Sequence, residues 1–215
     1  MPLVITDFQT SELIKYAANA YLAMRISYIN EFADLCELHT CNIDDLRKGV
    51  GMDKRIGKYY LKPGIGYGGS CLPKDVKYLI NNYEGLDLLK AVDKVNDKRP
   101  EKFLDALRKD IGNLNNKRIG VLGLAFKPKT DDMRDAPSIK IIEKLQEEGA
   151  KVKCYDPCAM DNARKILKDV EFCGDLQEVA KDSDAVIVLT EWKEFDEYKN
   201  KAINHKYGKD SPKNK

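Results

Sequence analysis

The sequence predicts a mixed fold, in which an all-α region is followed by a partial α/β region with a doubly wound parallel sheet. Two observations support this prediction. Residues 10–38 contain neither Gly nor Pro and are rich in Ala, Leu, Ile and Tyr, which favours a long helix. After Asn113, short apolar segments alternate with amphipathic ones, a pattern typical of the βαβ units of a Rossmann-like domain. We therefore predict a helical domain at 1–112 and a sheet domain at 113–198.

Residues with special backbone preferences mark the ends of the predicted helices in the first domain. Thr10 and Asn42 are suited to cap the first two helices, and the Gly-Val-Gly segment 49–51 is expected to end the second. Pro73 suits the first turn of the third helix, whereas Pro100 predicts that the fourth consists of two pieces or starts anew. The predicted helices are 10–38, 42–51, 73–83 and 86–111.

The second domain is expected to hold four strands. They are predicted at 118–123, 151–155, 170–172 and 185–189, with helices at 138–148, 162–168 and 176–180. The last strand is wholly apolar, as expected in the middle of a parallel sheet. Ligands bind at the carboxyl ends of such strands. The segments after Gly123, Tyr155 and Leu189 are therefore candidates for binding.

Composition and charge exclude several classes of protein. The formal net charge is only +2, and the apolar segment 185–189 is too short to cross a membrane. The six cysteines form neither a CxxC pair nor a Cys/His cluster, which predicts reduced thiols in the cytoplasm and no metal site. The sequence has only two histidines, His39 and His205, and the second lies in the tail, which argues against a histidine-dependent hydrolase. The tail 199–215, with six lysines and one aspartate, is expected to be disordered rather than to bind nucleic acid.

The strongest candidate for chemistry is the segment 64–75, GIGYGGSCLPKD. Four glycines in six residues let the backbone approach a ligand closely, and Cys71 precedes a helix opened by Pro73. The helix-terminal amides and the ammonium of Lys74 favour a thiolate at Cys71, and Asp75 is near enough to act on a water. An inert buried cysteine is the alternative. The loop is not expected to be a dinucleotide-binding fingerprint, because no strand is predicted before it and its glycine spacing is judged not to match.

Two further sets of residues are candidates. Lys15 and Asn19 share a face of a helix whose neighbouring residues are apolar nearly all round, so we expect this lysine to be buried with a partner or a task. The alternative is a lysine whose ammonium reaches the surface. Lys127 and Arg134 follow the first strand, where anionic ligands bind, although cations there can also be simply solvated.

Four blocks of the sequence, in this order, resemble the UDP-glucose/GDP-mannose dehydrogenase family. They are 12–20, 53–57, 64–75 and 123–138. The resemblance implies a two-step NAD-dependent oxidation of the C6 alcohol of a nucleotide sugar to a uronate. It makes Cys71 the nucleophile, through a thiohemiacetal and a thioester. Asp75 and Lys15 would handle the proton or activate the hydrolytic water, and Lys15 with Asn19 would stabilise charge on oxygen.

The resemblance also implies binding residues. Those for the nucleotide sugar are Arg55, Tyr60, Leu61, Lys62, Gly68, Phe126 and Lys127. Lys74 and Arg134 would lie near NAD. Arg55 would reach the substrate of a neighbouring subunit, which implies a homodimer built on the helix between Thr10 and Leu38. The form of the segment around Cys71 suits UDP-glucose or GDP-mannose and leaves that choice open.

The sequence departs from the family pattern at both ends. Family members carry an NAD-binding domain before the first block, whereas this sequence begins almost at that block, so we expect the isolated chain to lack NAD-dependent turnover. After Phe195 the family continues into another strand, whereas a lysine-rich tail follows here. Two alternatives are a non-catalytic module that dimerises and binds UDP-sugar, and an unrelated acyl-transfer enzyme that uses Cys71.

Overall fold

The helical domain begins with a long helix that starts earlier than predicted. The computed structural model describes residues 3–199, and its first helices are α1 Phe8–Leu38, α2 Ile43–Met52, α3 Leu72–Asn82 and α4 Asp87–Ile111. The prediction that Thr10 caps α1 is wrong. The cap is Asp7, whose carboxylate accepts a hydrogen bond from the Thr10 backbone N–H at 2.7 Å.

Helix α2 is capped by Asn42, as predicted, but the segment 49–51 does not end it. The helix continues to Met52. A Cβ atom on Gly51 would lie 3.1 Å from the Cα of Lys58, so this glycine lets the following loop pack closely against the helix.

Helix α4 is continuous, so the predicted interruption at Pro100 is wrong. Pro100 lacks the N–H that would bond to the carbonyl of Asn96, one turn earlier. Contacts with the glycine-rich loop 64–71 hold the helix together there. The side chain of Asn96 accepts a hydrogen bond from the Tyr67 N–H at 2.7 Å and donates one to the Tyr67 carbonyl at 3.1 Å. Tertiary contacts thus outweigh the local preference of proline.

The second domain holds a four-stranded, fully parallel sheet. Its strands are β1 Arg118–Leu122, β2 Lys151–Tyr155, β3 Val170–Phe172 and β4 Ala185–Val188, in the order β3-β2-β1-β4. Its helices are α5 Pro137–Glu147, α6 Met160–Ile166, α7 Leu176–Ala180 and α8 Asp196–Lys199, with a 3-10 turn at Lys193–Phe195. Two predictions need correction. Helix α6 lies two residues earlier than expected, and β4 is an edge strand within residues 3–199 rather than a central one.

Helix α4 joins the two domains. Val92, near its start, packs with residues of α1 and α3. Phe103 and Leu107, near its end, belong to the core beneath the sheet, together with Ile119 and Ile141. Ion pairs from α4 to α5 and to the residue that follows it reinforce this contact: Asp97–Lys140, Glu101–Lys144 and Arg108–Glu148. The boundary at residue 112 remains a prediction, since α4 packs into both cores.

Within residues 3–199, no helix is long and apolar enough to cross a membrane. The predicted tail, apart from the backbone of Lys199, lies outside the described residues.

Candidate active site

A cavity of about 510 Å³ lies where the glycine-rich loop meets the carboxyl ends of β1 and β4. The predicted site residues that line it are Asn19, Tyr60, Lys62, Gly68, Cys71, Phe126 and Lys127. It thus draws on both domains, and the carboxyl edge of the parallel sheet forms one of its sides, as expected for this architecture.

Contacts with the sheet domain explain two glycines of the loop. A Cβ atom on Gly68 would lie 2.4 Å from the carbonyl oxygen of Asp135. Gly69 has φ +82° and donates its N–H to the Arg134 carbonyl at 2.8 Å, and a Cβ atom there would lie 2.8 Å from the ring of Phe126. The loop therefore needs glycine at these positions in order to pack closely against the sheet domain. This packing fixes the position of Cys71, two residues after Gly69.

The loop does not form a dinucleotide-binding turn. The prediction that its glycine spacing does not match the fingerprint is wrong, since Gly64, Gly66 and Gly69 have the spacing G-x-G-x-x-G. However, none of the four strands within residues 3–199 precedes this loop.

Cys71 is exposed and immediately precedes α3, so the alternative is wrong in taking this cysteine to be buried. Its sulfur lies 3.7 Å from the hydroxyl oxygen of Ser70. The pKa of Lys74 is raised, mainly by its hydrogen bond to Asp75 and also by the negative charge of Cys71. The pKa of Arg134 is likewise raised, first by Asp132 and to a lesser degree by Cys71. Two cations therefore lie near the thiol.

Other cysteines have a different environment. Cys36, Cys154 and Cys173 are buried. Burial is the main cause that raises their pKa values, for Cys154 to about 12. Such thiols stay protonated and unreactive at neutral pH. Cys71 differs from them in being exposed.

The fully buried carboxylate of Asp75 gathers three of the predicted site residues. One of its oxygens accepts a hydrogen bond from the Asn19 amide at 2.6 Å, and the other accepts one from the Lys74 ammonium at 2.6 Å. The ammonium of Lys15 lies 3.9 Å from the first oxygen. Burial raises the pKa of Asp75, but these hydrogen bonds and positive charges outweigh burial and lower it overall. Asp75 is therefore a carboxylate at neutral pH.

The prediction that Lys15 is buried is wrong, since 63% of its side chain is exposed. The first part of α1 is exposed on its apolar residues as well, including Leu13 and Ile14, and the first buried residue of the helix is Ala20. A helix with apolar residues nearly all round is stabilised when those residues are buried. The pattern does not show whether other parts of this chain cover them.

The remaining predicted residues lie at the cavity, in the core behind it, or on the surface away from it. Lys62 forms an ion pair with Glu191, so that the two domains meet at the cavity. The ammonium of Lys127 lies 5.2 Å from the centre of the Phe126 ring. Leu61 is buried in the helical core behind the cavity. Arg55 and Arg134 are exposed, do not line the cavity and pair with Asp53 at 2.6 Å and Asp132 at 2.8 Å, respectively.

Sequence reasoning missed Asp156. This fully buried residue directly follows β2. It accepts hydrogen bonds of 2.7–3.3 Å from the N–H groups of Leu124, Ala125, Cys158 and Ala159 and from the indole of Trp192. It thereby joins the segments after β1, β2 and β4. Its position directly after a predicted strand could have singled it out, because the carboxyl end of β2 was already a predicted binding edge.

Sequence reasoning also missed Arg25, which is buried in the middle of α1. Its guanidinium donates three hydrogen bonds, at 2.7–2.9 Å, to the carbonyls of Ile56, Gly57 and Tyr59. These bonds fix the segment that leads into Tyr60 and Lys62 at the cavity. No cluster of three His, Cys, Asp or Glu residues suited to a metal ion occurs among the residues that the structure describes.

Comparison with known proteins defines the class. Residues 9–98 match the central domain of the UDP-glucose/GDP-mannose dehydrogenase family, and residues 120–212 match the UDP binding domain of the same family. The chain therefore belongs to the UDP-glucose/GDP-mannose dehydrogenase family. The resemblance inferred from the sequence motifs is confirmed, as is the fold class of a helical domain followed by a parallel α/β domain.

Individual relatives agree with the family match. The chain is 46% identical over 199 residues to UDP-glucose 6-dehydrogenase of Rhizobium meliloti and 43% identical over 203 residues to UDP-glucose 6-dehydrogenase YwqF of Bacillus subtilis. These alignments cover 90% and 92% of this chain but 46% of each relative, so the chain spans about half the length of the curated relatives that it matches.

Solved structures give the same result. The structure of a UDP-glucose dehydrogenase from Pyrobaculum islandicum matches with a TM-score of 0.87 and 38% identity, covering 90% of this chain and 46% of that one. A UDP-D-ManNAc dehydrogenase from Pyrococcus horikoshii matches with a TM-score of 0.75 and 30% identity, covering 88% and 44% of the two chains.

Proposed function

We propose that this chain supplies the nucleophile and the nucleotide-sugar site for the UDP-glucose 6-dehydrogenase reaction. The observation that carries the proposal is the cavity between the two domains, which is lined by the exposed Cys71 and by one cation from each domain, Lys62 and Lys127. The names of the two bacterial relatives favour UDP-glucose over GDP-mannose as the substrate.

The proposed reaction oxidises C6 of the sugar twice. The sulfur of Cys71 adds to the C6 aldehyde to give a thiohemiacetal, whose oxidation gives a thioester. Water then attacks the thioester carbonyl, the C–S bond breaks, and the uronate leaves while Cys71 regains its thiol. In total, one alcohol, one water and two NAD⁺ give one carboxylate, two NADH and three protons. The two hydrides pass from C6 to NAD⁺, which is the chemistry that this cofactor supplies when bound.

Around C6, the residues near Asp75 stabilise charge and position water. The amide of Asn19 and the ammonium of Lys15 are donors for the oxygen that becomes negative when the thiol adds to the aldehyde. Asp75 holds both donors in place, since Asn19 lies 2.6 Å and Lys15 3.9 Å from its carboxylate. Because its pKa is lowered, Asp75 is ionised. Its carboxylate is fully buried, so it would act on the hydrolytic water through Lys15, whose side chain is 63% exposed.

The cations of the cavity suit the diphosphate of a nucleotide sugar. Lys62 and Lys127 both line the cavity, one from each domain. Phe126 offers a ring between Lys127 and the glycine-rich loop, and Tyr60 and Gly68 complete the contact surface. Leu61 contributes from the core behind them.

The chain's own residues also fit the anionic part of NAD. Lys74 and Arg134 are exposed cations near Cys71, since Lys74 lies in the first turn of α3 and the Arg134 carbonyl accepts a hydrogen bond from the N–H of Gly69. Ammonium and guanidinium groups are suitable donors for a dinucleotide diphosphate. These two residues would hold that part of the cofactor near the thiol.

An apolar stripe on α1 supports the proposed homodimer. Ile14, Tyr21, Tyr28 and Leu35 are seven residues apart and each 44–53% exposed. Apolar residues with this spacing form one seam along a helix, which packs against a second helix. In such a dimer, the exposed Arg55 would reach the neighbouring protomer's substrate. The free cysteines of the described residues suit a reducing compartment, so we place the enzyme in the cytoplasm.

The stripe gives a direct test of the dimer. Tyr21→Glu places a charge in the seam and is expected to convert a dimer into a monomer in analytical ultracentrifugation. Leu88→Glu is the control, because Leu88 is 63% exposed on α4, away from the stripe. A Tyr21→Glu variant that remains dimeric would remove α1 as the interface.

Two measurements on the 215-residue chain test the site. UDP-glucose is expected to bind in isothermal titration calorimetry and to slow the labelling of Cys71 by iodoacetamide. NADH formation is then followed with UDP-glucose and NAD⁺, for the chain alone and with an added N-terminal domain of a relative. The alternative of a module that binds without turnover predicts binding but no NADH in either mixture. In the complemented mixture, a Cys71→Ala variant as active as the wild type would rule out the nucleophile.

A further inference from the structure

We propose that Glu191 recognises the ribose of the nucleotide sugar by accepting hydrogen bonds from its hydroxyl groups. This inference rests on the proposed function, because it takes the ligand of the cavity to be a nucleoside diphosphate sugar. Glu191 follows β4 and is the only acidic residue that lines the cavity, as far as the described residues go.

The position that usually serves this purpose is already occupied. In dinucleotide-binding α/β domains, an acidic residue near the second strand binds the ribose hydroxyls. Here that place belongs to Asp156, which directly follows β2. Both of its oxygens are used, because one accepts two and the other three hydrogen bonds from protein donors. Asp156 is also fully buried, so it has no capacity left for a ligand.

Glu191, in contrast, is held by one oxygen only. Its Oε2 atom pairs with the ammonium of Lys62 from the other domain, whereas Oε1 has no hydrogen-bond partner among residues 3–199. A carboxylate that is anchored at one oxygen presents the other at a defined position. Carboxylate oxygens are strong acceptors for hydroxyl groups.

The charge of Glu191 calls for such a role. A carboxylate in a cavity for a diphosphate repels the ligand, which weakens binding unless the carboxylate also makes favourable contacts with that ligand. Lys62 neutralises part of this repulsion, and hydrogen bonds to ribose hydroxyls would be such favourable contacts. Thr190 and Ser138 also line the cavity, but their hydroxyl oxygens are neutral acceptors, which bind hydroxyl groups more weakly than a carboxylate does, and their hydrogens are already donated to the carbonyls of Ala125 and Leu124.

The test compares ribose hydroxyls rather than overall affinity. The dissociation constants of UDP, 2′-deoxy-UDP and 3′-deoxy-UDP are measured by calorimetry for the 215-residue chain. The wild type is expected to bind UDP about tenfold more tightly than at least one deoxy analogue, as a site built to bind a hydroxyl rejects a ligand without it. In Glu191→Ala this ratio should fall to about one, and in Glu191→Gln it should be intermediate.

Glu194→Ala is the control, since Glu194 is exposed in the same segment but does not line the cavity. It should keep the wild-type ratio. A preference for ribose that persists in Glu191→Ala, or a wild type that binds all three nucleotides equally, would overturn the role of Glu191 and leave the proposed function standing. A wild type that binds no UDP would overturn both. Because only ratios are compared, a general loss of stability in one variant does not imitate the expected result.

Discussion

Asp75 and Asp156 are both fully buried carboxylates, yet their surroundings differ. Asp75 is bonded by the side chains of Asn19 and Lys74, with the ammonium of Lys15 nearby. Asp156 is bonded mainly by backbone N–H groups of the segments that follow β1 and β2. Backbone donors cannot leave without unfolding a segment, whereas ammonium groups can exchange one partner for another. Asp156 therefore serves architecture, and Asp75 is suited to chemistry.

The largest expected effect separates the two residues by stability. Asp156→Ala leaves five donors without an acceptor and should lower the free energy of unfolding by about 3–5 kcal/mol. Urea denaturation followed by circular dichroism measures it. Glu171→Ala is the control, because Glu171 is exposed on β3 and its carboxylate forms a surface ion pair with Lys153. A loss below 1 kcal/mol for Asp156→Ala would mean that Asp156 does not hold the three segments together.

Asp75→Asn should reduce turnover strongly and stability only slightly. The asparagine amide keeps the shape of the carboxylate, but its NH2 group replaces one acceptor oxygen and then faces other donors. We therefore expect the free energy of unfolding to fall by about 1–2 kcal/mol. Turnover in the complemented enzyme should fall by about 100-fold or more, as is typical when an acid–base group is removed. Calorimetry with UDP-glucose provides the control, since binding should change little. Full turnover by Asp75→Asn would place Asp75 with Asp156 as a purely structural residue.

The same contrast explains what the sequence predicts and what it does not. The loop at 64–71 stands out because glycines, a cysteine and a helix-opening proline occur within ten residues. Strands β2 and β3 were predicted at their true bounds because apolar and β-branched residues cluster between turn residues. Signals of this kind are local, and local signals can be read without knowing which segments meet.

Long-range contacts are not visible in this way. The continuity of α4 at Pro100 depends on Asn96, which bonds to a residue 29 positions away. The exposure of Lys15 depends on which surfaces the rest of the chain covers. The importance of Asp156 depends on three segments that converge only in the folded sheet. An apolar periodicity reports that burial is favourable, and the fold decides where burial occurs.

A smaller effect is expected in the pH dependence of stability, which tests whether Asp75 is ionised in the folded protein. Because the folded protein lowers the pKa of Asp75 from its ordinary value of 3.8, ionised Asp75 stabilises the fold above about pH 4, and this contribution is lost as the pH falls through the folded pKa. The wild type should exceed Asp75→Asn in stability at pH 7, and the difference should shrink below about pH 4. Urea denaturation at pH 7, 5 and 3 measures it. A difference that grows on acidification would contradict the lowered pKa.

The smallest expected effect on stability concerns Lys15. Its ammonium is mostly exposed and 3.9 Å from Asp75, so solvent screens the pair, and Lys15→Met should change the free energy of unfolding by less than about 0.5 kcal/mol. If Lys15 stabilises charge on the reacting oxygen, turnover in the complemented enzyme should nonetheless fall by about 100-fold. Lys48→Met is the control, since Lys48 on α2 is a similarly exposed lysine that lies 3.6 Å from a carboxylate, that of Asp45. Equal turnover in both variants would show that the exposed end of the Asp75 cluster takes no part in the reaction, and Asn19 would be left as the donor there.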